Sequence, residues 1–204
     1  MKGSFITLEG IEGSGKSTSL NTITEILTER HTDFIITKEP GGGPLGKDLR
    51  AMLLSKSSEI SPEVELLLMM ADRKNHIDNV VMPNVNEGVW VISDRYLDST
   101  YAYQGGGRQI NTSKIDSLVT LLDLPQPDLT LLFDLPPSMA LDRAKKRSEL
   151  DRFESEPMDF HQRIRDAYLS LYRNNPDRFR MIDSSEDFTD VKQQVEKAVL
   201  DFIE

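Results

Sequence analysis

The stretch Gly10-Ile11-Glu12-Gly13-Ser14-Gly15-Lys16-Ser17, followed by Thr18, decides the fold of this chain. It matches the pattern G-x-x-x-x-G-K-[ST], in which backbone N–H groups surround phosphate oxygens and the lysine meets the terminal phosphates. The short apolar segment over 4–8 predicts a buried strand, and apolar residues at helical spacing predict a helix over 17–30. A strand, a glycine loop and a helix in this order are the context that a phosphate-binding loop requires.

This loop predicts a site for a nucleoside triphosphate and a magnesium ion. The positive end of the following helix and the charge of Lys16 both favour phosphate, and the Ser17 hydroxyl is expected to ligate Mg²⁺. The predicted ATP-binding residues of the loop are Gly10, Ile11, Glu12, Gly13, Ser14, Gly15, Lys16, Ser17 and Thr18. The alternative is a glycine turn that merely starts a helix, which the two flanking elements disfavour.

Composition excludes several classes of protein. The 204 residues suit a single α/β domain over 1–204, and a net charge of −10 disfavours general binding to nucleic acid. The chain has no cysteine, which excludes disulfides and fits a reducing cytoplasm. We find no signal peptide and no apolar run near the roughly 20 residues of a membrane helix. We therefore expect a cytoplasmic protein without nucleic-acid or membrane partners.

Strands alternate with helices along the rest of the chain. Apolar segments predict further strands over 33–37, 88–93, 129–134 and 179–182, with helices between them. The glycines over 104–108 predict a loop, and the three histidines are expected at the surface. This alternation predicts an α/β fold of the P-loop NTPase type, with a parallel sheet covered by helices on both faces. Ligands should then gather at the carboxyl ends of the strands.

The dipeptide Asp94-Arg95 follows the third predicted strand and favours a kinase over a hydrolase. Asp94 can serve a magnesium ion, whereas Arg95 cannot polarise a hydrolytic water as a base would. An arginine there suits a second phosphate group, that of the acceptor. The alternative for Arg95 is a structural ion pair with Asp94. The base-reading motif N-K-x-D of GTPases is absent from the sequence.

A basic cluster follows the fourth predicted strand and contains Arg143, Lys145, Lys146, Arg147 and Arg152. Arg143 and Arg147 are four residues apart and share a helix face. Arginines on a closing segment stabilise the charge of a phosphoryl group in transfer and exclude water. We therefore predict a mobile lid at about 143–156, with a solvated charged helix as the alternative.

Several segments in register resemble the thymidylate kinases. They are Glu9-Gly10-Ile11-Glu12-Gly13-Ser14-Gly15-Lys16-Ser17, Lys38-Glu39-Pro40-Gly41-Gly42, Asp94-Arg95-Tyr96, Ser99, Ala102-Tyr103-Gln104-Gly105 and Glu149-Leu150-Asp151-Arg152. The resemblance implies Mg²⁺-dependent transfer of the γ-phosphoryl group of ATP to dTMP, giving dTDP and ADP for dTTP synthesis. It also implies the strand order 2-3-1-4-5, a nucleoside monophosphate kinase domain and a homodimer. It is strongest to the bacterial subclass, which supplies arginines from the lid.

The resemblance implies roles for individual residues. Lys16, Asp94, Arg95 and Arg147 are the expected catalytic residues, Ser17 and Asp94 the metal ligands, and Arg143 and Arg152 additional ATP-binding residues of the lid. The implied dTMP-binding residues are Glu12 at the 3′-hydroxyl, Arg50 and Arg95 at the phosphate, Met69 over the base, Arg73 at a thymine carbonyl, Thr100 and Gln104 at the base edge, Tyr103 beneath the sugar, and Ser99. The alternatives without a functional role are a solvated acid at the start of the helix for Glu12 and an aromatic residue of the core for Tyr103.

Two positions depart from the family pattern. Met69 falls where a phenylalanine usually stacks on thymine, and Lys38 falls where an arginine is usual. Methionine can cover a base but lacks aromatic geometry. One alternative is therefore a kinase that acts on dUMP or on a modified pyrimidine nucleotide. Another is that Met70, and not Met69, contacts the base. Two rivals from other classes are a regulatory nucleotide-binding module without turnover and a phosphate-loop hydrolase that needs no acceptor.

Overall fold

The structure is a computed structural model that describes residues 2–147 and 150–204, apart from the side chain of Arg147. Its strands are β1 (Phe5–Glu9), β2 (Phe34–Lys38), β3 (Trp90–Asp94), β4 (Leu129–Asp134) and β5 (Phe179–Asp183). All neighbouring strands are parallel, and their order in the sheet is β2-β3-β1-β4-β5. This confirms the predicted fold class and strand order.

Helices connect the strands and cover both faces of the sheet. They are α1 (Lys16–Glu29), α2 (Gly46–Leu54), α3 (Pro62–His76), α4 (Met82–Asn86), α5 (Leu97–Thr100), α6 (Thr112–Leu121), α7 (Pro137–Arg147), α8 (Met158–Asn174) and α9 (Phe188–Ile203), with π-helical segments at Ile77–Val81 and Tyr101–Gly107. Within the described part of the chain, no helix combines the length and apolar character needed to cross a bilayer.

Strand β1 lies in the middle of the sheet and places alternate side chains in two separate cores. Ile6 and Leu8 pack with Leu27 and other residues of α1 and α9, whereas Phe5 packs with Met70 of α3 on the opposite face. Burial on both faces explains why Phe5, Ile6 and Leu8 are all apolar although they face different sides of the sheet. The loops at the carboxyl ends of the strands are left to form the site.

The predicted glycine loop over 104–108 is wrong, because this segment continues a helix. Tyr101–Gly107 forms a π-helical turn that packs against α8. A Cβ at Gly106 would lie 2.7 Å from the Cβ of Ala167, and one at Gly107 would lie 2.6 Å from the ring of Phe160. These two glycines therefore allow the π-helical segment to pack closely against α8, and they do not form a loop.

The prediction of surface histidines is correct for His31 but wrong for His76 and His161, which are buried. The ring of His76 is within hydrogen-bond distance of Glu39 through Nδ1 (2.8 Å) and of Thr37 Oγ1 through Nε2 (2.7 Å). Thr37 belongs to β2 and Glu39 follows it, so hydrogen bonds to these two residues replace the hydrogen bonds that water would make with the ring.

Candidate active site

The loop between β1 and α1 is shaped by its glycines and its lysine. Gly10, Gly13 and Gly15 have φ angles of 138°, 78° and 92°. A Cβ at Gly10 would lie 2.4 Å from the carbonyl oxygen of Phe133, so a side chain cannot be accommodated there. Lys16 Nζ donates to the carbonyl oxygens of Gly10 and Ile11, at 3.1 Å each. The lysine therefore lies folded back over the loop that would hold phosphate.

A first cleft opens above this loop, and we call it the donor cleft. Its lining residues are Glu12, Gly13, Ser14, Gly15, Lys16, Ser17, Thr18, Ser19, Asp94, Arg143, Ala144, Ser184, Glu186, Phe188 and Val191. The structure thus brings most of the predicted ATP-binding loop together with Asp94 and Arg143. Arg143 Nη1 donates to the carbonyl oxygen of Ser184 at 3.0 Å, which links α7 to the loop after β5.

The oxygens of Ser17 and Asp94 fit the predicted magnesium ion. Both residues line the donor cleft, and Asp94 Oδ1 is buried without a hydrogen-bond partner among the described residues. Magnesium is commonly held by one or two protein oxygens together with substrate phosphates and water. In residues 2–147 and 150–204 there is no group of three or more acidic or histidine side chains that could hold a metal by themselves.

A second cleft, which we call the acceptor cleft, is lined by every predicted dTMP-binding residue: Glu12, Arg50, Met69, Arg73, Arg95, Ser99, Thr100, Tyr103 and Gln104. It is also lined by Ile11, which was predicted to bind ATP, and by residues without a predicted role: Glu39, Pro40, Leu54, Pro137, Ala140, Leu141, Asp151, Phe153, Glu154 and His161. Glu12 lines both clefts, so the two clefts meet at the phosphate loop.

Arg95 lies in the acceptor cleft beside Glu12, the residue that lines both clefts. Its guanidinium donates to the carbonyl oxygen of Gly10 (2.9 Å) and to Glu12 (3.0 Å), and it lies 5.0 Å from the ring centre of Tyr103. The acidic partner of Arg95 is therefore Glu12 and not Asp94, the partner in the alternative interpretation. Arg50 reaches the same cleft, where its Nη1 donates to the carbonyl oxygen of Pro40 at 2.7 Å.

The base end of the acceptor cleft is built around a buried arginine. Arg73 donates to Glu39 (2.7 Å), Thr100 Oγ1 (2.7 Å) and the carbonyl oxygen of Tyr96 (2.9 Å). Glu39 also bonds to His76, so one carboxylate holds both side chains. Sequence reasoning missed Glu39, although it stands within the quoted segment Lys38-Glu39-Pro40. An acid directly after an apolar strand was the signal that could have revealed it.

A second buried acid, Glu9, lies beneath the acceptor cleft at the end of β1. Its carboxylate accepts from Ser99 Oγ (2.6 Å), Tyr168 OH (2.9 Å) and the backbone N–H of Tyr96 (2.8 Å). Burial, reinforced by the charge of Asp98, raises the pKa of Glu9 from 4.5 to about 7. Tyr168 was also missed, because it joins the site from α8, far along the chain.

The raised pKa of Glu9 predicts that the folded protein loses stability as pH rises from about 4.5 to about 7. In this window the folded state binds the proton that the unfolded state has released, so raising the pH favours unfolding. The loss attributable to this group is about 3 kcal/mol. Urea unfolding across the window, compared with Glu9→Gln, measures it. Parallel curves for the two proteins would contradict the assignment.

The part of the predicted lid that follows residue 149 folds against α2 and α3. Arg152 donates to Glu65 (2.7 Å) and to the carbonyl oxygen of Leu53 (2.8 Å), and its guanidinium lies 4.5 Å from the ring centre of Phe153. This location, beside the acceptor cleft, differs from the ATP side that the resemblance implies for Arg152. The side chain of Arg147 lies outside the described residues, and the mobility of the lid stays a prediction.

A phosphate loop whose donor cleft meets a second cleft lined by arginines on a five-stranded parallel sheet defines a P-loop nucleotide kinase. The family model described as thymidylate kinase matches residues 8–195. The chain therefore belongs to the thymidylate kinase family, a family of phosphotransferases that convert dTMP to dTDP with ATP as the phosphate donor.

Individual relatives agree with this family over nearly the whole chain. The chain is 49% identical to a thymidylate kinase of Carboxydothermus hydrogenoformans over 184 residues, which are 90% of each protein. It is 42% identical to that of Nitrosospira multiformis over 98% of each protein. Among solved structures, a thymidylate kinase of Ehrlichia chaffeensis superposes with a TM-score of 0.80 at 33% identity, covering 98% of this chain and 99% of that one.

Proposed function

We propose that this chain transfers the γ-phosphoryl group of ATP to dTMP across the junction of its two clefts. ATP occupies the donor cleft, where the loop N–H groups and Lys16 meet its phosphates. dTMP occupies the acceptor cleft with its phosphate at Arg95. The observation that supports this most strongly is the contact of Arg95, in the acceptor cleft, with Glu12, which lines both clefts. An in-line transfer needs the acceptor phosphate oxygen to face the γ-phosphorus from the side opposite the leaving ADP, so the two phosphate sites must adjoin.

Positioning and electrostatics provide most of the proposed catalysis. Lys16 offsets negative charge on the donor phosphates, and Arg95 with Arg50 fixes the attacking phosphate oxygen. Ser17 and Asp94 would hold a magnesium ion, which when bound neutralises phosphate charge. Arg147 and Arg143 of α7 are proposed to approach the transferring group and to exclude water when the lid closes.

On the acceptor side, each proposed contact uses a side chain that already lines the cleft. Glu12 accepts from the 3′-hydroxyl of the sugar, and Tyr103 lies beneath the sugar ring. Arg73 donates to a thymine carbonyl, and its network with Glu39 and Thr100 supports this role by fixing the guanidinium. Such fixed donors favour the cognate base because no ordering is required on binding.

An acceptor panel tests the proposed reaction. ADP formation is measured with Mg-ATP and each of dTMP, dUMP, ribo-TMP, dCMP and dGMP, and each product is identified by mass. We expect a strong preference for dTMP with dTDP as product. Preference for another pyrimidine nucleotide would mean that this nucleotide, and not dTMP, is the acceptor. ADP formation without a phosphorylated acceptor would support the hydrolase, and tight nucleotide binding without product would support the regulatory module.

Met69 lines the acceptor cleft, in the place where the family usually has phenylalanine. We expect Met69→Phe to keep dTMP binding or to tighten it by up to about 10-fold, because an aromatic contact contributes roughly 0.5–1.5 kcal/mol. Isothermal titration with dTMP measures the change, with Met181→Phe as the matched control, because Met181 is exposed on β5 and lines neither cleft. Weaker binding in Met69→Phe would mean that the base lies elsewhere in the cleft.

We propose a homodimer in solution, as the family resemblance implies. Exposed apolar side chains on and next to α2 and α3 support an interface there, namely Leu45, Met52, Val64 and Leu67. Leu66 and Met70 of the same helix are buried in the monomer core and are not available for it. Sedimentation equilibrium measures the molar mass in solution and so distinguishes a monomer from a dimer. The single-domain organisation with a mobile lid and the cytoplasmic location stay predictions.

A further inference from the structure

The amide of Gln104 is held at the wall of the acceptor cleft by a buried carboxylate. Gln104 is 1% exposed and lines the cleft, and its Nε2 donates to Glu65 Oε1 at 2.8 Å. Glu65, in the first turns of α3, is also 1% exposed. Since the amide nitrogen is directed at Glu65, the carbonyl oxygen of Gln104 is the hydrogen-bond acceptor of this side chain that is left for a ligand.

The surroundings of Glu65 determine which way this amide must point. Arg152 Nη1 lies 2.7 Å and Arg108 Nη2 lies 3.1 Å from Glu65 Oε2. A carboxylate bonded by two guanidinium groups serves them as an acceptor, and it only accepts hydrogen bonds. A carboxylate beside an amide can be bonded by the NH₂ group but not by the carbonyl oxygen, so the opposite orientation of Gln104 would place two acceptors together.

We propose that Glu65 is a positioning residue for base specificity, which acts by keeping the carbonyl oxygen of Gln104 directed into the acceptor cleft. This inference rests on the proposed function, in which Gln104 and Arg73 face the edge of the acceptor base. Glu65 itself does not line the cleft and exerts its effect through Gln104.

The resulting pattern of donors and acceptors matches thymine and opposes cytosine. Arg73 can only donate, and the fixed oxygen of Gln104 can only accept. Thymine presents the O4 acceptor beside the N3–H donor, which complements this pair. Cytosine presents an amino donor at position 4 beside an unprotonated N3 acceptor, which reverses both contacts. Uracil has the same pattern as thymine, so Glu65 distinguishes the oxo from the amino pyrimidines.

Glu65→Gln tests the orientation directly. The amide introduced at residue 65 can donate to the carbonyl oxygen of Gln104, which allows Gln104 to turn its NH₂ group toward the cleft. We expect the ratio of kcat/KM for dTMP to that for dCMP to fall by about 10- to 100-fold, the range for one well-formed base contact. A lower fraction of folded protein would lower both values together and leave their ratio unchanged. If the variant folds and the ratio is still unchanged, the proposal is overturned.

Gln104→Met provides the second variant, which leaves the ion pairs of Glu65 intact. Its dTMP to dCMP ratio should also fall, and adding Glu65→Gln to it should change the ratio no further, because the amide being oriented is gone. An unchanged ratio in Gln104→Met would overturn the proposal even if Glu65→Gln does not fold. Glu63→Gln, exposed on the same helix, is the matched control and should behave as wild type. If the wild-type protein does not phosphorylate dTMP, this result contradicts the proposed function and not the role of Glu65.

Discussion

Replacing Lys16 by methionine is expected to lower kcat for dTMP phosphorylation by a factor of about 10³, the effect of removing a fixed donor from a developing phosphate charge. Methionine has nearly the same length and removes only the ammonium group. Lys16 is 5% exposed and its Nζ is already fixed by Gly10 and Ile11, so water cannot replace it easily. A coupled assay of ADP release at saturating ATP and dTMP measures the change.

The same substitution should leave stability unchanged or improve it. Burial is the largest influence on the pKa of Lys16 and lowers it, which shows that the site is unfavourable for a charge when phosphate is absent. Urea unfolding should therefore give a free energy of unfolding no lower than that of wild type. Lys114→Met, an exposed lysine on α6, controls for loss of charge and should retain full activity. Near-wild-type activity of Lys16→Met would remove the lysine from the mechanism.

The parts of this molecule that were predictable are those specified by neighbouring residues. The phosphate loop is a contiguous pattern, and the apolar runs of β1, β3 and β4 reveal buried parallel strands locally. The resemblance then supplied the strand order and the acceptor residues, all of which line one cleft. Local signals are sufficient where burial on both faces makes most residues of a strand apolar.

The parts that were not predictable depend on partners distant in the sequence. Glu9 is bonded by Tyr168, which is 159 residues away, and Glu65 by Arg152, which is 87 residues away. A buried acid and an exposed acid look alike in a sequence until such partners are known. Gly106 and Gly107 were misread for the same reason, because they allow close contact with α8, which lies far along the chain.

Arg95→Ala is expected to lower kcat/KM for dTMP by about 10³-fold with little change in KM for ATP. Two charge-assisted hydrogen bonds of about 2 kcal/mol each account for this size. The split between substrates follows from location, because Arg95 lines the acceptor cleft but not the donor cleft. Arg95→Lys keeps the charge without the planar fork and should fall between wild type and alanine. An equal loss toward both nucleotides would contradict the assignment to the acceptor.

A glycine at position 95 separates the cost of the backbone from the benefit of the side chain. Arg95 has a φ of 73°, a left-handed conformation that non-glycine residues rarely adopt. Arg95→Gly should lose as much activity as Arg95→Ala but unfold with a free energy about 1 kcal/mol higher, because glycine adopts this conformation without a Cβ clash. Urea unfolding of the two variants measures the difference. A glycine variant no more stable than alanine would mean that the backbone is not strained here. The expected result would mean that the chain tolerates an unfavourable backbone in order to direct one guanidinium at the acceptor phosphate.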